Sequence, residues 1–177
     1  MNGSVDRRRP DGSEYDGYYD RYVRPVPDGD IIDLLSAQLA ATRDLLNIIP
    51  IEKEAYRYAP GKWTTKEVVG HIIDTEWVFA YRGLNFARNF PIPLPGMDQD
   101  EFMAGANFAA RPFSSLSLEY SCLRGAVIQL FGSFDESILN RTGIASGCRF
   151  TVRSILYIIA GHERHHIEVL KDRYLRE

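Results

Sequence analysis

A chain of 177 residues, 45% hydrophobic and 25% charged, suffices for one domain with a substantial core and is short for two. Its net charge of -3 lacks the basic excess that a nucleic-acid partner demands. No run approaches the roughly 20 apolar residues that span a bilayer, which argues against a membrane protein.

The first nine residues carry arginines but no apolar run behind them, so they read as neither a secretory signal nor an anchor, and the expected location is cytoplasmic. Residues 1–29 are rich in Asp, Arg, Gly, Pro and Tyr. They are expected to form a partly flexible N-terminal arm, loose over the first dozen residues, on a domain spanning 30–177. Tyr15, Tyr18, Tyr19, Tyr22 and Val23 suit an arm laid across its own domain or across a second subunit.

Asp30 caps helix one, whose apolar residues run at spacings of three and four from Ile31 to Ile49 before Pro50 stops it. Thr64-Thr65-Lys66-Glu67 is a capping box and opens helix two, which runs to about Phe90 ahead of Pro91, Pro93 and Pro95. Residues 91 to about 114 show no long periodic run. A link of that length either crosses over the fold or covers a site, and Phe102, Phe108 and Phe113 would pack it down. Ser115 or Ser117 is expected to cap helix three, with Leu118, Cys122, Leu123, Val127, Leu130, Phe131 and Phe134 at helical spacing, fading near Asn140. A loop over 141–148 leads to Thr151, which caps helix four. Four helices and no strand pattern of more than a few residues give an all-α class. Cys122 and Cys148 have no CxxC spacing and read first as incidental thiols, second as reactive ones.

On helix four, Val152, Ile155, Ile158, Ile159, Val169 and Leu170 share one arc, and His162 and His166 fall near its middle. Four residues apart, the two imidazoles stand one above the other. Burying both costs several kcal/mol unless their nitrogens find partners, so they read as ligands of one metal ion ahead of a buried polar pair or an exposed rim. His165 sits at the stripe's edge, exposed or behind a ligand. Glu163, Arg164, Glu168 and Lys171 fall on the flanks and back, expected to face water. On helix two, Glu76 occupies the centre of the apolar arc, beside Val69, Ile73 and Ala80. A carboxylate there is either a metal ligand, an acceptor for an imidazole N–H, or half of a salt bridge with an arginine such as Arg82 or Arg153. His71 lies with Glu67, Asp74 and Val78, away from that centre.

Trp63 followed eight residues later by His71, together with the H-x-x-x-H pair His162 and His166, resembles the DinB-like family of metal-dependent enzymes. The Tyr18-Tyr19 to Pro27 arm, Gly96-Met97-Asp98-Gln99-Asp100 and Arg141-Thr142-Gly143 are similar to one branch of it. The resemblance implies a four-helix bundle with a long crossover connection between helices two and three. It also implies a three-histidine site of His71, His162 and His166 for a divalent metal, nickel or zinc first and iron or manganese next, and a homodimer. Some relatives are thiol S-transferases or isomerases that use small cellular thiols. An unusually wide apolar arc lets helix two contact neighbours on two sides and turn His71 inward; Glu76 is the leading substitute as third ligand.

Three neutral imidazoles around one ion leave coordination positions open, as catalytic sites do. The implied function is a hydrolase, or a thiol-dependent S-transferase with a low-molecular-weight thiol cosubstrate, acting on a small molecule. Glu76 is the candidate catalytic base or orienting group, and Asp74 a weaker candidate partner behind His71. Two alternatives stand beside it. One is a binding module sensing metal or pH, in which protonation of His162 and His166 below about pH 6 ejects the ion. The other is a structural bundle whose histidines hydrogen-bond with Glu76 and nearby carbonyls.

Overall fold

The computed structural model describes Val5 and residues 7–176; the start of the stretch expected to be loose, residues 1–4 and 6, lies outside the described residues. A single 3₁₀ turn leads into α1 (Asp20–Val23). The Asp30 carboxylate accepts the Ile32 amide at 2.8 Å and opens α2 (Ile31–Asn47), after which α3 (Ile51–Glu54) adds one turn beyond Pro50. Next, α4 (Thr65–Ala87) begins on the expected capping box. Thr64 Oγ1 accepts the Glu67 amide at 3.2 Å and the Glu67 carboxylate accepts the Thr64 amide at 2.6 Å. The helix ends near its expected limit, where Asn89 takes a left-handed φ of 54° and turns the chain into the prolines.

The link to the third long helix is ordered. It holds α5 (Gln99–Gly105), capped by Asp98, and a 3₁₀ turn that drives Phe108 into the core beside α4. A Cβ on Gly70 would stand 2.4 Å from the Phe108 ring, so only glycine admits this approach. Phe113 is buried as expected, whereas Phe102 is exposed.

The third long helix, α6 (Phe113–Gly132), starts before Ser115 and Ser117, with Pro112 in the capping position and no side-chain cap. Buried Phe113 anchors that start, and the inward stripe is Leu116, Tyr120, Leu123, Arg124, Val127 and Phe131. Leu118 and Cys122, expected inside, face solvent. The helix ends at Gly132; α7 (Glu136–Leu139) is a separate turn capped by Asp135. Where a loop is expected, β1 (Thr142–Ala145) pairs antiparallel with β2 (Cys148–Thr151), Ala145 opposite Cys148. The turn is Ser146-Gly147, both at positive φ (52° and 74°), the conformation that suits a two-residue hairpin. Leu94 of the link donates to the Ile144 carbonyl at 2.9 Å and accepts from Ser146, stitching link to hairpin.

Thr151 caps α8 (Val152–Val169) with its hydroxyl on the Ser154 amide, and a π-helical turn, Leu170–Tyr174, follows. The helix packs against α2 and α4, and α1 lies along its remaining side. Every residue from Val152 to Glu163 is buried, so this half is not amphipathic. The arm therefore lies on its own bundle. Arg9 donates to the carbonyls of Val23, Arg24 and Val26, and Glu14 accepts from Arg153 and Thr151. A Cβ on Gly161 would stand 1.9 Å from the Tyr22 carbonyl oxygen, so that glycine sets how close arm and helix can come.

Candidate metal centre

Two helices bring the three expected histidines together. His162 and His166 are one turn apart on α8, and His71 faces them from α4, with potential ligand nitrogens within 4.8 Å of one another. His162 Nε2 and His71 Nε2 are 3.1 Å apart. The ring centroids of the three lie 4.5 to 4.9 Å from one another. His71 and His162 are buried and His166 is partly so. His71 turns inward because α4 is covered on several sides, by α8, α6 and the link turn at Phe108.

Neighbouring groups fix the rings. Trp63 lies 4.8 Å from the His71 ring, its own carbonyl held at 2.9 Å by the Tyr174 hydroxyl. Tyr22 of the arm meets the His162 ring edge to face at 5.3 Å, a contact no helix periodicity announced. His165 is exposed and lies outside the cluster.

Burial moves the imidazole pKa values down, and mutual repulsion between the rings adds to it for His162 and His166. His71 is pushed to about 4 and His166 to about 3, and His162 falls well below the ordinary value. The protonation window therefore lies below the expected pH 6. At neutral pH all three are unprotonated and offer lone pairs. Nitrogens bonded to one four-coordinate ion at ~2.1 Å stand about 3.4 Å apart, close to the His71 and His162 separation. The residues present fit a divalent metal.

Glu76 has a different partner from either arginine expected. Arg124, fully buried on α6, donates from Nε to Glu76 Oε1 at 2.6 Å and from Nη2 to Glu76 Oε2 at 2.8 Å. Its Nη1 donates to Glu163 Oε2 at 2.5 Å, and the other Glu163 oxygen accepts from Tyr120 at 2.7 Å and Thr42 at 2.5 Å. Glu163, expected to face water, is thus 1% exposed and locked into the core. Burial raises the Glu76 pKa, and Arg124 opposes the rise. Glu76 and Glu163 line a small void with Thr75 and His162 that has no room for water, so the network lies directly behind the histidines. Among the described residues no carboxylate hydrogen-bonds to any of the three imidazoles. Arg82 instead binds Ser146 and Pro95, and Arg153 binds Glu14. Asp74 sits with Glu119 and Arg111, its carboxyl raised to about 6 by burial and by Glu119.

A cleft of about 330 Å³ opens on His71 and His162, walled by Tyr19, Tyr22, Thr75 and Arg82 and roofed by Met97 to Asp100. A second, of about 320 Å³, reaches His166 past Lys62 and Trp63. Gln99 and Asp100 line both, so the link covers the site.

The model of the DinB superfamily matches residues 34–170. The chain belongs to the DinB superfamily. Its fold is similar to that of YfiT from Bacillus subtilis, described as a probable metal-dependent hydrolase with an unusual four-helix bundle topology. The TM-score is 0.70 at 16% identity, over 92% of this chain and 89% of that one. It is also similar to the DinB-like protein YjoA from Bacillus subtilis, with a TM-score of 0.59 at 20% identity, over 81% of this chain and 87% of that one. No curated protein matches the chain. In this family setting the four long helices α2, α4, α6 and α8 form the bundle, and the link carrying α5 is its crossover between the second and third. No helix among the described residues is long and apolar enough to cross a membrane.

Proposed function

We propose that the protein is a metal-dependent hydrolase of a small molecule, using His71, His162 and His166 to hold a divalent ion. The observation that carries the reading is three unprotonated, mostly buried imidazoles within 4.8 Å of one another, His71 and His162 opening on one cleft and His166 on a second. Nickel or zinc is proposed as the ion, since imidazole nitrogen suits both. When bound, such an ion supplies Lewis acidity, lowering the pKa of a water nucleophile and polarising the bond to be attacked.

The chain's own residues do the rest. Trp63 and Tyr22 fix the ligand rings and exclude water from their outer faces. Glu76 acts through Arg124 and not on substrate: two carboxylates against one guanidinium leave a formal negative charge behind the histidines, which favours a cation there. A thiol-dependent transfer is the second reading, favoured by the two clefts that meet at the histidines, since a transfer must seat two molecules.

The test is turnover of a panel of small esters and amides by untagged protein loaded with nickel or zinc, with and without an added low-molecular-weight thiol. Hydrolysis that needs metal and disappears in His71→Ala supports the first reading. Turnover only with thiol, giving a thiol-bearing product, moves the assignment to transfer. Equal turnover in His71→Ala sinks both.

A further inference from the structure

Among the described residues three arginines are buried: Arg82, Arg124 and Arg153. Arg124 lies between two carboxylates and Arg153 pairs with Glu14, whereas Arg82 has no carboxylate within 4.0 Å among the described residues. Its Nη2 donates to Ser146 Oγ at 2.8 Å and to the Pro95 carbonyl at 3.2 Å, and its guanidinium lies 5.0 Å from the Phe79 ring centre. The Tyr19 hydroxyl and the Cys148 thiol are its other polar neighbours. A guanidinium 4% exposed and matched only by neutral groups is costly to keep, and an oxyanion is what its planar fork is shaped to receive.

Arg82 lines the same cleft as His71 and His162. His71, Thr75, Phe79 and Arg82 follow one another at spacings of four, four and three, forming a single stripe of α4 along the cleft wall. Thr75, between the histidine and the arginine on this stripe, borders both the cleft and the dry void behind His162, and its Oγ1 is buried without a hydrogen-bond partner. The acidic residues of the roof do not fill the need. The Asp98 carboxylate accepts the amides of Asp100 and Glu101 at 2.8 and 3.0 Å as the cap of α5, and Asp100 is exposed.

We propose that Arg82 is the anion-binding residue of this cleft and that the substrate carries an oxyanion, a carboxylate or a phosphoryl group, which Arg82 holds. Its role as a substrate anchor rests on the reading of the histidines as a metal-dependent site; the anion binding itself does not. Eleven residues separate His71 from Arg82, about 16 Å of helix rise. Since the arginine side chain leans back toward the helix N-terminus, roughly 10 to 15 Å separate the anion from the reacting bond. The ligand is then an extended small molecule, in keeping with a cleft of about 330 Å³.

The probes are inorganic phosphate and acetate, titrated calorimetrically at constant ionic strength into metal-loaded protein and into the His71→Ala, His162→Ala double variant. The result expected is saturable binding of at least one anion to both proteins, the tighter of the two identifying the class. Arg82→Gln should weaken that binding by about tenfold or more, Arg82→Lys by less, and exposed Arg149→Gln not at all. Undiminished binding in Arg82→Gln, or no saturable binding of either anion, overturns the proposal. Binding lost only with the histidines overturns it too, while leaving the metal reading standing. Should Arg82→Gln fail to fold, the Arg82 side-chain nitrogen resonance of the unsubstituted protein, assigned with Arg82→Lys, must shift on titration. An unmoved resonance overturns the proposal.

Discussion

Replacing Arg124 with methionine keeps the length and most of the volume of the side chain and removes its charge. Three charge-assisted hydrogen bonds of 2.5 to 2.8 Å disappear, and Glu76 and Glu163 are left facing each other in a site with no room for water. Breaking a buried ion pair from one side costs about 3–5 kcal/mol, a large share of a domain's typical stability. For a chain of this size that is a fall in Tm of roughly 6–20 °C. The pH dependence has a definite sign. Without the guanidinium nothing opposes the burial that raises the Glu76 pKa, so in the variant this group favours folding below the unfolded carboxylate pKa. That contribution is lost as pH rises through the raised value. Arg124→Met should therefore be closest to the parent near pH 4–5 and furthest from it near pH 8, a range set by the ordinary carboxylate pKa of about 4.3. Urea unfolding of parent and variant at the two pH values, followed by circular dichroism, measures both terms. Adding Glu76→Gln and Glu163→Gln to the variant should recover much of the loss, because a neutral network has no unpaired charge. A loss below about 1 kcal/mol at pH 8, or a variant relatively less stable at the lower pH, would refute the buried-network reasoning.

Gly161→Ala should reverse the usual sign of such a change. In an open helix alanine gains about 1 kcal/mol, but here its Cβ meets the Tyr22 carbonyl at 1.9 Å, so α1 must lift. Faster amide exchange and proteolysis over residues 15–26, with the four long helices retained, is the expected readout; an arm as protected as in the parent counts against that packing. Metal affinity should stay level from pH 8 to about 5, because protons compete only below the lowered pKa values, about 4 for His71 and about 3 for His166. A competition titration showing loss around pH 6.5, where exposed histidines titrate, would contradict the burial argument. Removing the Thr64 cap with Thr64→Ala should cost about 1 kcal/mol, seen as a lowered urea midpoint at unchanged m.

The caps were legible at three long helices and not at α6, where Pro112 stands in place of the expected Ser115 or Ser117. Asp30, Thr64 and Thr151 each open the helix expected of them, since a cap is a local hydrogen bond and needs no tertiary information. Burial was less legible, because periodicity assumes one dry face and one wet face. On α8 the side that a helical wheel leaves wet at Glu163 is met by α2 and α6, whose Thr42, Tyr120 and Arg124 hold the carboxylate dry. Its partner carried a signal of its own: Arg124 interrupts the apolar stripe of Tyr120, Val127 and Phe131 as Glu76 interrupts that of Val69 and Ile73. Two opposite charges, each misplaced in an apolar stripe, would have pointed to each other. Ser146-Gly147 similarly marked a hairpin turn, obscured by strands of only four residues. The histidine trio was legible in two ways. His162 and His166 followed from spacing, whereas His71 needed the family resemblance, since its inward turn depends on the Phe108 link packing against α4.

Metal content per chain tests the central claim most directly, measured by elemental analysis on untagged protein alongside His71→Ala and His162→Ala. The result expected is about one divalent ion per chain in the parent and little in either variant, both remaining folded. A folded parent that carries no metal after growth with nickel and zinc, and takes none up on addition, would contradict it.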